Sequence, residues 1–303
     1  MSGDRVAVVD VGSNSTRLFL CEGVSADGPE GERVTTITAL KRGAAPDGTI
    51  APAALVRLGA CLDDYADRIA DFDSEEVIAI GTSAVRDAPN RDEVAALVDD
   101  RLGVDLRVLA GAHEAELSYF GARLAVRGDG PVVVLDIGGG STELVRGDAA
   151  GPQTAVSLDA GGVRFTEQFL HDDPPSPAQI AALRDEVMGM VVPTFAAIGG
   201  AAPLVGVAGT MTSLAAIANG AYDPRHVHGT ILSAVEIEDI TDHLAGLALA
   251  ERRRVPGLHP DRAPSIVAGA LIACCVLDAA MADEIAISER DLLDGAVIRL
   301  AGV

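Results

Sequence analysis

The chain has 303 residues, of which 49% are hydrophobic and only 3% aromatic, so an α/β protein with an aliphatic core is expected. Asp and Glu outnumber Lys and Arg by 45 to 23, and this net charge of −22 excludes nucleic acid and anionic membranes as partners. Such a surface is typical of a solubilising acidic face, with a salt-rich cytoplasm as the alternative, because salt screens self-repulsion. Four cysteines without metal or disulfide spacing, and a charged N-terminus, predict a cytoplasmic location.

A repeated strand-and-loop pattern organises the chain. The segment "VAVVDVGSNSTRLFL" at residues 6–20 returns 126 residues later as "VVVLDIGGGSTELVR" at residues 132–146. Apolar strand residues resume directly after each loop, so each copy is predicted to be a hairpin. The repeat predicts two related α/β domains, residues 1–126 and 127–303, joined near the turn residues "RGDGP".

The segments between and after the repeats alternate strand and helix patterns. In the first half the pattern predicts a strand and a loop carrying Arg86 in "EEVIAIGTSAVRDA", a helix ending at Gly103, a strand in "LRVLAG" and a helix in "HEAELSYFGARLAV". In the second half it predicts a helix over residues 178–192, then a strand, small-residue loop and helix start in "PLVGVAGTMTSLAAI". The segment "PSIVAGALIACCVLDAAM" reads as a buried helix with Cys274 and Cys275 in the core. Glycines and prolines interrupt the uncharged stretch 187–222, which argues against a membrane span.

The loops favour phosphate binding. Backbone N–H groups bind phosphate well where no Cβ blocks the approach, as in the loop Gly138–Gly140 with the following hydroxyls. The "AGT" at residues 208–210, before a helix N-terminus, offers a further cradle. Plain hairpin turns are the alternative, but they leave the repeated aspartates unexplained.

The charged residues beside the loops support the same chemistry. Asp10 and Asp136 each end an apolar strand, where a carboxylate needs a cation or hydrogen-bond donors, so each is either a Mg²⁺ ligand or a loop-structuring acceptor. The repeat aligns Arg17 with Glu143, so residues of opposite charge occupy equivalent positions. Arg17 and Arg86 suit bidentate phosphate contacts, with ordinary surface ion pairs as the alternative.

Six segments in the order of this chain are together similar to the exopolyphosphatase / guanosine pentaphosphate phosphatase (Ppx/GppA) family. They are "VDVGSNSTRLFL", "GTSAVRDAPN", "GAHEAELSYFG", "LDIGGGSTELV", "GVAGTMTSLAAI" and "PDRAPSIVAGALI", and they span essentially the whole chain. The loops alone suit any member of the wider actin-like ATPase superfamily. The segments "HEAELSYFG" and "GGGSTEL" narrow the resemblance to the phosphatases.

The resemblance implies two ribonuclease-H-like domains with an active site in the cleft between them. It also implies release of a terminal phosphate from inorganic polyphosphate or guanosine pentaphosphate, with Mg²⁺ as cofactor and Mn²⁺ as the alternative ion. By resemblance Glu114 is the catalytic glutamate, Asp136 and Glu143 handle metal and water, and Arg17 and Arg86 contact phosphate. The phosphate-binding turns it implies are Ser13, Asn14, Ser15, Gly138, Gly139, Gly140, Ser141, Gly209 and Thr210.

Two departures from the family pattern bear on function. His113 stands where many members have a glutamate, either as a plain helix-start residue or as a group that tunes Glu114 or contacts phosphate. The chain also ends at Val303 without the C-terminal helical extension of longer relatives, which favours short over long polyphosphate chains. A homodimer is a further expectation. A kinase of the same superfamily and a non-catalytic sensor of guanosine tetra- or pentaphosphate are the competing functions.

Overall fold

The computed structural model describes residues 5–25, 28–124, 129–199 and 202–301. The chain divides into two compact units, unit 1 (Met1–Leu124 with Leu292–Val303) and unit 2 (Ala125–Asp291). The predicted boundary between residues 126 and 127 lies outside the described residues. The prediction placed the segment after Asp291 in the second domain, whereas in the structure this segment belongs to unit 1, because its apolar side chains pack on the first sheet.

Unit 1 is built on a five-stranded mixed sheet of order β3-β2-β1-β4-β5. Its strands are β1 (Val6–Val11), β2 (Thr16–Ser25), β3 (Gly28–Thr36), β4 (Glu76–Gly81) and β5 (Leu106–Val108). Its first helices are α1 (Pro52–Phe72), α2 (Ser83–Arg86), α3 (Arg91–Leu102) and α4 (Gly111–Arg123). The predicted end of a helix at Gly103 is confirmed, since this glycine caps α3 with a φ of 68°.

Both faces of the first sheet are covered, which explains the unbroken apolar sequence of β1. Successive side chains of a strand point to opposite faces. Ala7 and Val9 accordingly join the core under α1 and α3, whereas Val6 and Val8 join the core that includes Leu117 of α4. A two-sided core of this kind is typical of α/β layers.

Unit 2 is built on a six-stranded sheet of order β10-β11-β9-β6-β7-β8. Its strands are β6 (Val132–Ile137), β7 (Thr142–Asp148), β8 (Gly151–Leu158), β9 (Leu204–Val207), β10 (Ile231–Ser233) and β11 (Glu284–Ile287). Its helices are α5 (Gly162–Phe169), α6 (Pro177–Ile198), α7 (Ala208–Ala218), α8 (Pro224–Val227), α9 (Ala234–Gly246), α10 (Leu249–Arg252) and α11 (Ile266–Ala280).

The predicted duplication is confirmed by topology and by detail. The order β8-β7-β6-β9-β11 repeats β3-β2-β1-β4-β5, with β10 added at one edge. Both hairpin turns close with the same 3.0 Å backbone hydrogen bond, from Gly12 N to Ser15 O and from Gly138 N to Ser141 O. The two units are therefore copies of one ribonuclease-H-like α/β design.

Two further predictions for unit 2 were tested by the structure. Helix α11 is buried along nearly its whole length, as predicted. Burial raises the pKa of the Cys274 thiol to about 12 and that of the Cys275 thiol to about 11. Both values are typical of unreactive cysteines in a protein core. The small-residue loop predicted at residues 208–210 was wrong, because α7 begins at Ala208 directly after β9. No helix in the described ranges is long and apolar enough to cross a membrane.

The chain ends on unit 1 with helix α12 (Leu292–Ala296), which continues into one π-helical turn, Val297–Ala301. Leu292, Leu293, Ala296 and Val297 are buried in the same core as Leu117. The end of the chain thus packs against α4 and the sheet beneath it.

Candidate functional site

The turn between β1 and β2 lies against the start of α2. Ser13 is buried, and its hydroxyl oxygen lies 3.1 Å from that of Ser83, the first residue of α2. A methyl group placed on Gly12 would lie 2.9 Å from the Ser15 carbonyl oxygen, so the tightness of this turn depends on glycine. The half-buried Asn14 and Ser15 complete the turn, which sits beside the helix that ends in Arg86.

Asp10 and Arg17 form an ion pair within this hairpin. They are directly opposite each other in the β1–β2 register, and the guanidinium donates to Asp10 Oδ2 through Nε at 3.0 Å and Nη2 at 2.7 Å. The Asp10 side chain is 6% exposed and that of Arg17 16%. Arg17 therefore offsets the charge of Asp10 inside unit 1.

Arg86 and Glu114 form a second pair in unit 1. Arg86 Nη1 donates to Glu114 Oε2 at 2.9 Å and to the Leu109 carbonyl oxygen at 3.1 Å. Arg86 ends α2, not a loop as predicted, and Glu114 lies in the first turn of α4, nearly buried. The pair holds a carboxylate in a fixed orientation beside the helix that contacts the Ser13 turn. His113, next to Glu114, is exposed.

The glycine loop of unit 2 is oriented by helix α5. The carbonyl oxygens of Gly138 and Gly139 accept hydrogen bonds of 2.9–3.0 Å from the first N–H groups of α5, and that of Gly140 accepts one of 2.7 Å from Arg164 Nε. In a planar trans peptide the N–H points away from the C=O. The N–H groups of Gly139, Gly140 and Ser141 therefore face the side opposite α5, the arrangement in which successive backbone N–H groups bind an anion.

Gly161 makes this packing possible. A methyl group on Gly161 would lie 2.5 Å from the Gly139 carbonyl carbon and from Gly140 N. No larger residue fits between the loop and the start of α5 without moving the backbone. The sequence gave no reason to select Gly161, because its role depends on a contact 21 residues away.

Asp136 and Glu143 form a pair of carboxylates at the base of the glycine loop. They are directly opposite in the β6–β7 register, at the positions that Asp10 and Arg17 occupy in unit 1. Asp136 is 7% exposed and Glu143 1% exposed, and Ser157 donates to Glu143 Oε1 at 2.7 Å. Like charges directly opposite across strands destabilise a sheet, so this pair suits a bound cation.

The predicted phosphate-binding segment at residues 208–210 lies at the start of α7. Thr210 Oγ1 donates to the Ile137 carbonyl oxygen at 2.9 Å, which ties α7 to the end of β6 just before the glycine loop. A methyl group on Gly209 would lie 1.6 Å from Arg262 Nη1, so the guanidinium of Arg262 rests directly on Gly209. Glycine at this position is required for that close approach.

Arg262 lies in the segment "PDRAPSIVAGALI" that carries the family resemblance, and the sequence alone assigned it no binding role. The contact with Gly209 brings its guanidinium to the start of α7. The only sequence signal was its place in "HPDRAP". By contrast Arg252, in the basic run "ERRR" at residues 251–254, is buried and donates to the carbonyl oxygens of Leu244, Leu247 and Ala263.

The predicted residues thus assemble in two clusters, one in each unit. Unit 1 brings together the Ser13–Ser15 turn, the Asp10–Arg17 pair and the Arg86–Glu114 pair. Unit 2 brings together the Gly138–Ser141 loop, the Asp136–Glu143 pair and the Gly209–Thr210 turn with Arg262. No group of three or more His, Cys, Asp or Glu side chains suited to a metal occurs among the described residues.

Comparison with known proteins identifies the family. Residues 32–302 match the model of the Ppx/GppA phosphatase family. The chain belongs to the Ppx/GppA phosphatase family. It is 37% identical over 325 aligned residues to "Exopolyphosphatase 2" of Mycobacterium tuberculosis, with 100% of both chains covered.

Two solved structures extend the comparison. An exopolyphosphatase-like protein is 33% identical with a TM-score of 0.91, covering 98% of each chain. The Ppx/GppA family member of Aquifex aeolicus is 28% identical with a TM-score of 0.82, covering 98% of this chain and 97% of its own. These values confirm the predicted fold and family.

The donor set in unit 2 fits the Mg²⁺ that the Ppx/GppA family resemblance implies. Mg²⁺ takes oxygen ligands and keeps several waters, so one or two carboxylates with phosphate oxygens suffice. Asp136 and Glu143 provide two buried carboxylates beside a loop whose N–H groups suit phosphate. Asp10 fits less well, because Arg17 already binds its carboxylate.

Proposed function

We propose that this chain is an exopolyphosphatase that hydrolyses the terminal phosphoanhydride of inorganic polyphosphate, preferring short chains, and releases orthophosphate. The observation that carries the proposal is the buried Glu114 carboxylate, held by Arg86 at the end of the short helix whose first residue, Ser83, contacts the Ser13 turn. A carboxylate held in a fixed orientation suits activation of water. The names of the relatives at 37% and 33% identity support the choice of polyphosphate.

The proposed mechanism assigns a distinct task to each group of residues. Phosphoanhydride hydrolysis depends on positioned water and on neutralising charge at the transferring phosphoryl group, with little covalent chemistry by the protein. Glu114 orients the attacking water and accepts its proton as general base, while Arg86 fixes the carboxylate. The N–H groups of Gly139, Gly140 and Ser141 bind phosphate oxygens of the chain.

The remaining charged groups offset the negative charge of the substrate. Arg262, resting on Gly209, adds a guanidinium to the phosphate-binding surface of unit 2. Arg17 keeps the loop of unit 1 in shape through Asp10 and presents its partly exposed edge to phosphate. Asp136 and Glu143 would hold Mg²⁺, which when bound neutralises charge on phosphate oxygens.

The deciding experiment compares Glu114→Gln with Glu116→Gln, a carboxylate two residues along the same helix. Phosphate release from short polyphosphate in saturating Mg²⁺ is measured for both folded variants. Glu114→Gln is expected to lose about 10²–10⁴-fold in kcat, the usual contribution of a general base, and Glu116→Gln to keep its activity. Retention of most of the activity in Glu114→Gln would remove Glu114 from the mechanism.

A substrate panel separates the competing functions. Short polyphosphate, long polyphosphate and guanosine pentaphosphate are compared by kcat/KM, with no acceptor present. Preference for guanosine pentaphosphate would indicate a guanosine pentaphosphate phosphohydrolase instead of an exopolyphosphatase. Phosphate transfer that requires an acceptor would indicate a kinase, and tight nucleotide binding without turnover would indicate a sensor.

A further inference from the structure

The end of the chain packs unusually closely against the helix that carries Glu114. A methyl group on Gly295 of α12 would lie 1.9 Å from the Leu117 carbonyl oxygen and 2.9 Å from Leu117 Cα. Gly295 lies within helix α12 and does not have a positive φ. Glycine is therefore needed at this position for the close contact between the helices and not for an unusual backbone conformation. Leu117 is three residues, nearly one turn, from Glu114.

An ion pair with a buried carboxylate holds α12 on the sheet. Asp294 is fully buried, and the partly exposed Arg33 of β3 donates from Nη2 to its Oδ1 at 2.7 Å. The Arg33 guanidinium also lies 3.9 Å from the centroid of the Phe19 ring in β2. The pair therefore links α12 to the β2–β3 part of the sheet.

A third contact reaches α4 from the final turn. The guanidinium of Arg299 lies over the ring of Phe120, 4.6 Å from its centroid. Phe120 follows Leu117 by three residues on α4, so Gly295 and Arg299 contact successive turns of the helix. The end of the chain therefore supports α4 along its length, while Arg33 anchors it to the sheet that carries the Ser13 turn.

We propose that α12 positions Glu114 for catalysis and that Gly295 is the residue on which this positioning depends. The inference rests on the proposed role of Glu114 as general base. Any side chain at residue 295 must push α12 and α4 apart, because the atoms it meets are backbone. A displacement of about 1 Å at a catalytic group lowers the rate by about 10²-fold. The three atoms nearest to the added methyl group all belong to Leu117, which is not a predicted substrate-binding residue, so binding should be spared.

The test is Gly295→Ala in the full chain, with Gly59→Ala as the matched control. Gly59 lies in a helix of the same unit, and a methyl group there would make only ordinary 3.7 Å contacts with Leu97. Gly295→Ala is expected to lower kcat for short polyphosphate by about 10²-fold with KM within about twofold, and Gly59→Ala to leave both unchanged. Unchanged kcat in a folded Gly295→Ala protein would overturn the proposal.

A double-variant cycle distinguishes positioning from general destabilisation. If Gly295 acts only through Glu114, adding Gly295→Ala to Glu114→Gln should cost no further activity in single-turnover assays. A further loss as large as that in the wild-type background would overturn the proposal. If Glu114→Gln itself stays active, the proposed function fails first. If Glu114→Gln is inactive and Gly295→Ala is active, only the present inference fails.

A milder change covers the case in which Gly295→Ala does not fold. Arg299→Met removes the cation over Phe120 while keeping an unbranched apolar side chain, and Arg299→Lys restores a cation. Arg299→Met is expected to lower kcat by about two- to fivefold without changing KM, and Arg299→Lys to recover it. Equal kcat in wild type and Arg299→Met would count against the support of α4 by the chain end.

Discussion

At the residue scale, the duplicated hairpins present the same backbone with different electrostatics. Asp10 faces Arg17 across β1 and β2, whereas Asp136 faces Glu143 across β6 and β7. In the first hairpin the charge is offset within the protein. In the second, two buried carboxylates occupy opposite register positions, and an added cation would reduce the repulsion between them. The first hairpin therefore contains an internal ion pair, whereas the second contains a candidate metal site.

This difference predicts opposite effects of neutral substitutions. Asp10→Asn leaves Arg17 without its carboxylate and should destabilise the protein by about 1–3 kcal/mol, with or without Mg²⁺. Glu143→Gln removes one of the two like charges that face each other across β6 and β7. Without metal, the Tm of this variant should therefore be the same as that of wild type or a few degrees higher. Mg²⁺ should raise the Tm of wild type but not of Glu143→Gln. An equal Mg²⁺-dependent rise in both proteins would exclude Glu143 as a ligand.

Gly209 gives a second prediction at this scale. Alanine at residue 209 must displace the Arg262 guanidinium, which a methyl group would approach to 1.6 Å. Loss of one charge-assisted phosphate contact is expected to lower kcat/KM for polyphosphate by about ten- to a hundredfold. Gly246→Ala is the control, since a methyl group there meets nothing within 4 Å. Unchanged kinetics in Gly209→Ala would remove Arg262 from substrate binding.

At the element scale, local patterns predicted more than long-range contacts did. The hairpins, α4, the end of α3 at Gly103 and the buried α11 follow from periodicity, cap residues and composition, which act over a few residues. The early start of α7 was missed because "AGT" reads as loop chemistry, although tertiary contacts such as that of Thr210 with Ile137 hold it in a helix.

The candidate site shows the same division. The residues themselves indicated Asp136 and the phosphate-binding loops, and the resemblance added the catalytic role of Glu114; the structure places these residues in two clusters. The sequence favoured a phosphate contact for Arg17, with an ion pair as the alternative, and did not identify Asp10 as its partner. The packing roles of Gly161 and Gly295 depend on contacts made only in the folded chain. A sequence offers no local signal for such a contact.

The basic run at residues 251–254 contains one arginine, Arg252, that is buried and has a structural role. Arg252 is buried, and burial lowers the pKa of its guanidinium despite the nearby Asp173. Arg252→Met would leave three backbone carbonyl oxygens without their donor and should destabilise unit 2 by about 2–4 kcal/mol. Arg253→Met and Arg254→Met change exposed side chains, so each should alter Tm by no more than about 1–2 °C. Similar losses in all three, measured by thermal unfolding, would contradict the buried role of Arg252.

At the scale of the whole molecule, the net charge of −22 opposes both folding and the approach of a polyanion. In the proposed mechanism, the guanidinium groups of Arg86 and Arg262 and the backbone N–H groups supply the local positive charge that offsets this field. The rest of the surface repels the substrate at long range. Salt screens this repulsion beyond about 10 Å at 0.1 M, while contacts within a partly buried site are screened much less.

The charge balance predicts that stability rises with salt. Thermal unfolding in KCl between 0.05 M and 1 M is expected to show a Tm increase of several degrees, because screening relieves the repulsion among 45 acidic residues that 23 basic ones do not offset. Sucrose at matched osmolality is the control for effects of solute exclusion, which also favour compact states. A flat or falling Tm in KCl would mean that local ion pairs such as Asp10–Arg17 and Asp294–Arg33 outweigh the general repulsion. A rise in KCl clearly larger than that in sucrose would favour adaptation of this acidic surface to a salt-rich environment over simple solubilisation.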